Sequence, residues 1–295
     1  MISILIPVYN YNITHLVIEI HKQLSISDVD FEILCLEDGS DNEYVKQNKT
    51  INTLTNTKQV ISKINVGRIS TRQLLCNEAK YSWLLFLDAD VIPKKSHFIS
   101  DYINLINSKY EAIFGGFTYS SEKPGSNYML RWTYGKNNEE VLSSKRNKNP
   151  YKVIISANFL IRKTVFDQIN SQIKGNAYGF DNYFATLLKS EKIKILHIDN
   201  EVYHKGIETN ACYLEKKEAA AKTLLTLYKS GKTQNHDNDL LGLFIKLKSY
   251  KLNYLFVLFY KLFQNILRKN ILSSNPSIKL LQLYRICFMC YTDLN

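Results

Sequence analysis

Apolar runs alternate with helical patterns along the first third of the chain. The apolar runs predict strands over residues 2–10, 31–36, 59–61 and 83–87. Apolar positions at helical spacing predict helices that begin at Thr14 and that run over residues 70–80. Strands that alternate with helices are typical of βαβ units. The pattern therefore predicts an α/β protein with a mostly parallel sheet flanked by helices.

Polar residues follow three of these strands at the point where each strand ends. The three polar stretches are Tyr9-Asn10, Asp38-Gly39-Ser40 and Asp88-Ala89-Asp90. In open α/β sheets, ligands bind beyond the carboxyl ends of the strands. The sequence therefore predicts a binding site at this edge of the sheet.

The pair Asp88 and Asp90 is the strongest candidate for metal chemistry. Alternate residues of a strand point to opposite faces, but beyond the strand end the chain can turn and both carboxylates can converge. Mg²⁺ and Mn²⁺ bind such oxygen ligands together with substrate phosphates. The alternative is that Asp88 caps the next helix and that Asp90 is solvated.

Short motifs in a fixed order resemble glycosyltransferase family 2, whose members have the A-type nucleotide-sugar fold. The motifs lie at residues 4–10, 37–40, 65–67 with Arg72, 85–90, 156–161, 178–181 and 197–204, with fainter likeness at 275–277. The resemblance covers residues 1–230 and is to bacterial members that build surface polysaccharides. It implies a catalytic domain over 1–230 and leaves 231–295 as a separate basic helical tail.

The resemblance implies that the chain binds a nucleotide sugar, with a UDP-sugar as the expected donor. The implied binding residues are Pro7, Val8, Tyr9, Asp38, Asn65, Arg72, Asp88 and Ala89. Asp38 would accept a hydrogen bond from the base, a task that suits a carboxylate because it offers only acceptors. The alternatives are that Asp38 caps the next helix and that Arg72 lies on a helix surface.

The resemblance also implies a bound Mn²⁺ or Mg²⁺ with Asp88, Asp90 and His204 as ligands. Two aspartates beside a diphosphate would repel it strongly without a cation. His204 follows an apolar strand, and neutral imidazole is an acceptable Mn²⁺ ligand. The alternative is that His204 has a structural role.

The catalytic base is expected at Asp181. An inverting transfer needs a carboxylate that accepts the proton of the acceptor hydroxyl. The family's usual base follows an acidic residue after a glycine-rich loop, and an ungapped comparison puts Asn182 at that position. Asp181 is the only carboxylate nearby, and it also suits the N-terminus of the next helix.

The acceptor side is expected to involve Trp132 and Asn158. The stretch from Arg131 to Pro150, rich in charged residues and asparagine, is predicted to be a mobile loop over the site. The face of Trp132 suits the apolar face of a sugar, and burial in the core is the alternative. Asn158 lies in a segment that resembles the family's acceptor wall.

Composition places the chain among ordinary globular proteins. With 295 residues and 45% hydrophobic residues, it can bury one sizeable core. Five cysteines without regular spacing argue against a secreted disulfide scaffold, so a cytoplasmic location is expected. Met1 leads directly into the first strand without a signal peptide, and no apolar run reaches the roughly 18 residues of a membrane span.

The tail differs from the rest in charge. Residues 240–295 carry eight Lys or Arg against one Asp, a net charge of +7 out of +11. Basic residues interleaved with aromatic residues and leucines favour contact with an anionic membrane surface, such as the inner face of the cell membrane. The alternative is a helical cap with a solvated basic face. No nucleic-acid partner is expected, because no nucleic-acid motif accompanies the charge.

Together these features predict a metal-dependent inverting glycosyltransferase that acts on a glycan or a lipid-linked glycan. The alternative is a degenerate nucleotide-sugar-binding protein that lacks an effective base, and Asn182 is the residue that favours it.

Overall fold

A computed structural model describes all 295 residues. The strands are β1 (Ile2–Val8), β2 (Phe31–Asp38), β3 (Thr57–Ser62), β4 (Trp83–Leu87), β5 (Val91–Pro93), β6 (Ala112–Phe114), β7 (Phe117–Thr118), β8 (Asn158–Arg162), β9 (Ile195–His197) and β10 (Val202–His204). The α-helices are α1 (Thr14–Ser25), α2 (Asn42–Asn48), α3 (Arg68–Glu78), α4 (Phe98–Ile103), α5 (Met129–Asn138), α6 (Ser143–Arg146), α7 (Lys163–Asn170), α8 (Asp181–Ser190), α9 (Asn210–Lys229), α10 (Asp239–Ser249), α11 (Asn253–Ile271) and α12 (Ile278–Leu294). Short 3-10 helices cover Lys49–Thr53 and Ser126–Tyr128.

The chain forms two compact units. The first comprises residues 1–118, 141–176 and 191–206 and contains all the strands. Its large sheet has the strand order β3-β2-β1-β4-β8-β6-β9. Strands β1 to β4 run parallel, and β8 is antiparallel to both β4 and β6. The predicted α/β class with a mostly parallel mixed sheet is therefore confirmed.

Burial on both faces explains why β1 and β2 could be predicted from the sequence. All of β2, and all of β1 except Pro7, is buried. Strands covered on both faces consist of nearly continuous apolar residues rather than an alternating pattern. Helices α1, α3, α4 and α7 pack beside these strands or against one another.

A second, three-stranded sheet has the order β5-β10-β7. Strand β10 is antiparallel to β5 and places His204 opposite Val91. The amide of Lys205 donates to the carbonyl of Asp90 at 2.8 Å. This register brings the end of β10 beside the Asp88-Ala89-Asp90 stretch.

The second unit comprises residues 119–140, 177–190 and 207–295 and is helical. Helix α12 packs against α9, α10 and α11, and its buried residues include Tyr284, Cys287 and Cys290. The predicted C-terminal helices are present, and the boundary predicted at residue 230 falls between α9 and α10, within this unit. No helix combines the length and apolar character that crossing a membrane requires.

The prediction of a mobile loop over residues 131–150 is wrong. Met129–Asn138 form α5, and Ser143–Arg146 form α6. Arg131 is buried and forms an ion pair with Glu139 at 2.9 Å. Helix α5 also packs against α9 and α12, and tertiary contacts stabilise a helix that local composition does not favour.

Candidate functional site

A cleft of about 350 Å³ lies at the carboxyl ends of β1, β2 and β4, within the first unit. Its lining residues are Pro7, Val8, Tyr9, Tyr11, Asp38, Asn65, Gly67, Arg68, Thr71, Asp88, Ala89, Asp90 and Asn176. The structure thus brings together all the predicted donor-binding residues except Arg72. Their meeting follows from the parallel order β2-β1-β4, which puts these strand ends at one edge.

Asp38 ends β2 and is held by the turn that precedes α3. Its Oδ1 accepts the backbone N–H of Val66 at 2.8 Å, and its Oδ2 accepts that of Gly67 at 2.9 Å. Gly67 has φ +83°, and a Cβ there would lie 2.0 Å from the side chain of Asn176. Position 67 therefore requires glycine both for backbone conformation and for space. The carboxylate fixes one wall of the cleft and does not cap α2.

Asp88 is bound by two arginines of α3. The Arg72 guanidinium donates to Oδ1 at 2.8 Å, and that of Arg68 lies 3.5 Å from Oδ2. Arg72 is buried and also donates to the carbonyl of Ser156 at 2.6 Å. Arg72 therefore lies behind Asp88 and orients it, whereas the half-exposed Arg68 lines the cleft.

Asp90 also lines the cleft, and its carboxylate contacts His204, which is largely buried. Nε2 of His204 lies 3.2 Å from Oδ2 of Asp90. A Cβ at Gly206 would lie only 2.0 Å from the same oxygen. The absence of a side chain at position 206 therefore makes room for the carboxylate.

The charges around Asp90 keep it ionised. Burial by itself would raise the pKa of Asp90, but the hydrogen bond with His204 and the positive charges of His204 and Arg68 outweigh it, so the pKa lies below its ordinary value. Burial and the nearby charge of Asp90 raise the pKa of Tyr11. At neutral pH the cleft therefore contains an ionised carboxylate at Asp90 and a protonated phenol at Tyr11.

The residues present fit a divalent cation. Two adjacent ligands of an octahedral ion with bonds of about 2.1 Å lie about 3 Å apart, close to the 3.2 Å between Asp90 and His204. A carboxylate oxygen and an imidazole nitrogen are suitable donors for Mn²⁺. No third acidic, histidine or cysteine side chain completes a cluster here. Such ions commonly use one or two carboxylates, with substrate phosphates and water in the other positions.

Five lining residues were not predicted as site residues: Tyr11, Gly67, Arg68, Thr71 and Asn176. Arg68 and Thr71 lie in the first turn of α3, directly after the Asn65-Val66-Gly67 motif. An arginine that follows a strand-to-helix turn was the available signal for Arg68. Asn176 lies beside Gly67, more than 100 residues away in the sequence, and no local pattern indicates that it lines the cleft.

Asn158 has a structural role in the large sheet. It is fully buried in β8, and its Oδ1 accepts the hydroxyl of Tyr102 at 2.7 Å. Its amide nitrogen donates to the carbonyls of Gly116 and Asn200. The amide makes three hydrogen bonds within the core, so we leave Asn158 out of the acceptor site.

Trp132 and Asp181 both lie in the second unit. Trp132 is half-buried in α5, and its indole N–H donates to the carbonyl of Ser120 at 2.9 Å. Asp181 is the first residue of α8, where a carboxylate is stabilised by the helix dipole. The neighbouring Asn182 donates to the carbonyl of Gly179 and accepts from the amide of Asn238. The side-chain nitrogen and oxygen of Asn182 therefore both make hydrogen bonds within the second unit.

Two solved structures share the fold at low sequence identity. The mannosyltransferase PcManGT from Pyrobaculum calidifontis, in complex with GDP-Man and Mn²⁺, is 10% identical with a TM-score of 0.53. The match covers 77% of this chain and 64% of that one, which is less than two thirds of the mannosyltransferase. Glucosyl-3-phosphoglycerate synthase from Mycobacterium tuberculosis, in complex with Mn²⁺, UDP and glucosyl-3-phosphoglycerate, is 12% identical with a TM-score of 0.52, over 80% of this chain and 81% of that one. The predicted fold class is confirmed by these likenesses.

No curated protein matches the chain in sequence. The family model described as Glycosyl transferase family 2 matches residues 3–169, more than half of the chain. The match includes the three strand ends that form the cleft, and the predicted enzyme class is confirmed at the level of the family. The chain belongs to glycosyl transferase family 2.

Proposed function

We propose that the chain is a metal-dependent inverting glycosyltransferase. It transfers a sugar from a nucleotide sugar, with a UDP-sugar as the first candidate, to a hydroxyl of a glycan or a lipid-linked glycan. The observation that carries the proposal is one cleft lined by Asp88, Asp90 and Arg68 at the strand ends, with His204 in contact with Asp90.

The nucleoside would bind along the β1 and β2 side of the cleft. Pro7, Val8 and Tyr9 supply an apolar wall beside Asp38 and Asn65. Each oxygen of Asp38 already accepts one backbone N–H, and a carboxylate oxygen has a second lone pair for the base. The two solved structures of similar fold contain GDP-Man and UDP, which supports a nucleotide sugar as the donor class.

The diphosphate would lie between Arg68 and the Asp90–His204 pair. Arg68 begins α3, and the N-terminus of a helix attracts phosphate. A bound Mn²⁺ or Mg²⁺, held by Asp90 and His204 with Asp88 beside them, would neutralise charge on the departing diphosphate. Arg72 would act as a positioning residue, since it orients Asp88 from behind.

Asp181 is the proposed base that accepts the proton of the acceptor hydroxyl. Direct displacement with inversion needs one carboxylate for this step while the nucleoside diphosphate leaves. The amide of Asn182 is not a useful proton acceptor, so the neighbouring carboxylate of Asp181 is the candidate. Trp132, half-buried on α5, is the proposed contact for the apolar face of the acceptor sugar.

A nucleotide-sugar-binding protein without catalytic activity is the second candidate. Asn182, at the family's usual base position, is the observation that favours it. This candidate shares the donor cleft and differs only in the chemical step.

The proposal is tested by incubating the purified chain with UDP-, GDP- and dTDP-sugars, with Mn²⁺ or with EDTA. Slow release of one nucleoside diphosphate that EDTA abolishes is the expected result. Nucleotide binding without release or transfer to any glycan acceptor would favour the binding protein instead.

Asp181→Asn separates the two candidates more sharply. We expect turnover to fall about 100-fold or more, with nucleotide affinity almost unchanged, because the base acts only in the chemical step. Asp167→Asn, a change of the same type elsewhere in the chain, is the control. Normal turnover in Asp181→Asn would exclude this residue as the base.

A further inference from the structure

Helix α11 exposes an apolar stripe. Leu255, Leu258, Leu262, Phe263 and Ile266 are between 40% and 66% exposed. Their spacing of three and four residues places them along one side of the helix. We call these five residues the α11 stripe.

The opposite side of α11 is firmly packed. Val257, Tyr260, Leu267 and Ile271 are buried in the helical core of the second unit. The α11 stripe is therefore a second apolar face on a helix that has already buried its first. Contiguous apolar surface of this kind marks an interaction site.

The charge beside the stripe has one sign. Helix α11 contains no acidic residue, and Lys261 and Lys269 are exposed next to the stripe. Lys246 and Lys251, before α11, are also exposed, and none of these four lysines forms an ion pair. Arg268 instead pairs with Glu218 at 2.6 Å, and Lys248 pairs with Asp293 at 2.7 Å. Lys261 and Lys269 therefore place positive charge beside the stripe that no acidic side chain neutralises.

We propose that α11 lies on an anionic lipid surface with its stripe in the boundary between headgroups and acyl chains. An apolar face flanked by lysines matches such a surface, because the lysine stems lie along the apolar region while the ammonium groups contact lipid phosphates. The exposed Tyr250 and Tyr254, at the start of the helix, suit the same interface.

Charge argues against a second copy of the chain as the partner. In a symmetric dimer the same patch meets itself, so Lys261 and Lys269 would face lysines with no acidic residue of α11 between them. A lipid surface supplies the missing negative charge. The proposal of a membrane contact does not depend on the proposed catalytic function, because no stripe residue lines the cleft.

The test measures flotation of the full chain with vesicles of phosphatidylcholine, with and without phosphatidylglycerol. We expect binding to the phosphatidylglycerol vesicles that weakens with salt. Leu258→Glu/Leu262→Glu should lower the partition coefficient about tenfold or more, because it removes two apolar contacts and adds repelled charge. The matched control is Ile18→Glu/Ile26→Glu, two exposed isoleucines outside the second unit, which should bind like the unmodified chain.

A second pair of variants isolates the charge. Lys261→Glu/Lys269→Glu should lower the partition coefficient about tenfold, whereas Lys22→Glu/Lys58→Glu, with the same change in net charge, should not. A far-UV circular dichroism spectrum and a urea-unfolding midpoint like those of the unmodified chain verify that each variant is folded. Equal flotation of the stripe variant and its control would overturn the proposal. So would lipid-independent self-association that Leu258→Glu/Leu262→Glu abolishes, since that result would assign the stripe to a second copy.

Discussion

Two groups of charged residues, one in each unit, differ in their surroundings: one lines a cleft and the other lies among packed helices. In the first unit, Asp90 lines the cleft and has His204, which is largely buried, as its close partner. In the second unit, Glu139 accepts from Arg131 at 2.9 Å and from the hydroxyl of Tyr119, and the Arg131 guanidinium lies over the rings of Tyr119 and Tyr213. We call Tyr119, Arg131, Glu139 and Tyr213 the α5 cluster.

The difference separates chemistry from stability. The α5 cluster satisfies its own charges, and burial is outweighed by Arg131 and Lys217 so that the pKa of Glu139 lies below its ordinary value. Asp88 and Asp90 also have cationic partners, but they line a cleft that a ligand can enter. We therefore expect substitutions in the cleft to change activity and substitutions in the α5 cluster to change stability.

The largest expected effect comes from Asp90→Asn. Turnover of the nucleotide sugar should fall by about 10²–10³ because the cation loses its anionic ligand and the diphosphate loses its neutralisation. The midpoint of urea unfolding should fall only modestly, because the ion pair with His204 that is lost lies at a partly exposed cleft. Unchanged Mn²⁺ dependence of turnover in this variant would contradict the metal assignment.

Glu139→Gln should produce the converse result. It leaves the buried Arg131 without its counter-charge, which costs about 3 kcal/mol or more in the free energy of unfolding. Urea unfolding measures this loss, and Glu140→Gln, at a more exposed neighbour, is the control. Nucleotide affinity should be unchanged, so a large loss of affinity with no loss of stability would break the contrast between the two units.

His197 gives the first unit an acid-sensitive element of stability. Burial lowers the pKa of His197 to about 4, and its ring nitrogens contact Arg146 and the carbonyl of Pro150. Because the unfolded state binds a proton near pH 6.5 and the folded state does so only near pH 4, stability falls as pH decreases between these values. Between pH 7 and pH 5 the loss should be about 2 kcal/mol. His197→Gln should lose this pH dependence in urea unfolding, and an unaltered slope would exclude His197 as its source.

Gly206→Ala tests the space around Asp90. The new Cβ would lie 2.0 Å from Oδ2, so the carboxylate must move away from His204. We expect about a tenfold loss of turnover with a higher Mn²⁺ requirement. Gly125→Ala is the control, because a Cβ there meets only Tyr128, at 3.9 Å. If Gly206→Ala retained normal Mn²⁺ dependence, the position of Asp90 would not matter to the cation.

The sequence predicted the first unit better than the second, for a physical reason. Asp38, Asp88 and Asp90 lie at strand ends, and a buried strand is visible as a local apolar run. The parallel order of the strands then brings these residues together. Arg72 was assigned to the donor although Arg68, one turn earlier on α3, lines the cleft. Helical spacing alone does not say which turn faces the ligand.

The second unit depends on contacts between distant helices. Helix α5 packs against α9 and α12, far along the chain, so its charged and asparagine-rich sequence gave no local sign of a helix. Asn158 shows the same limit in the first unit, since its three partners come from other elements of the fold. The exposure of the α11 stripe likewise follows from which side of the helix α12 covers. The sequence identified the basic tail but did not indicate which face remains open.

The most direct test of the proposed cation and diphosphate site is calorimetric titration of UDP and GDP into the chain with Mn²⁺ and with EDTA. We expect one nucleotide per chain, bound at least about tenfold more tightly with Mn²⁺, because a cation held by Asp90 and His204 would neutralise the diphosphate. Equal affinity with EDTA would contradict the proposal that these residues hold a cation for the donor.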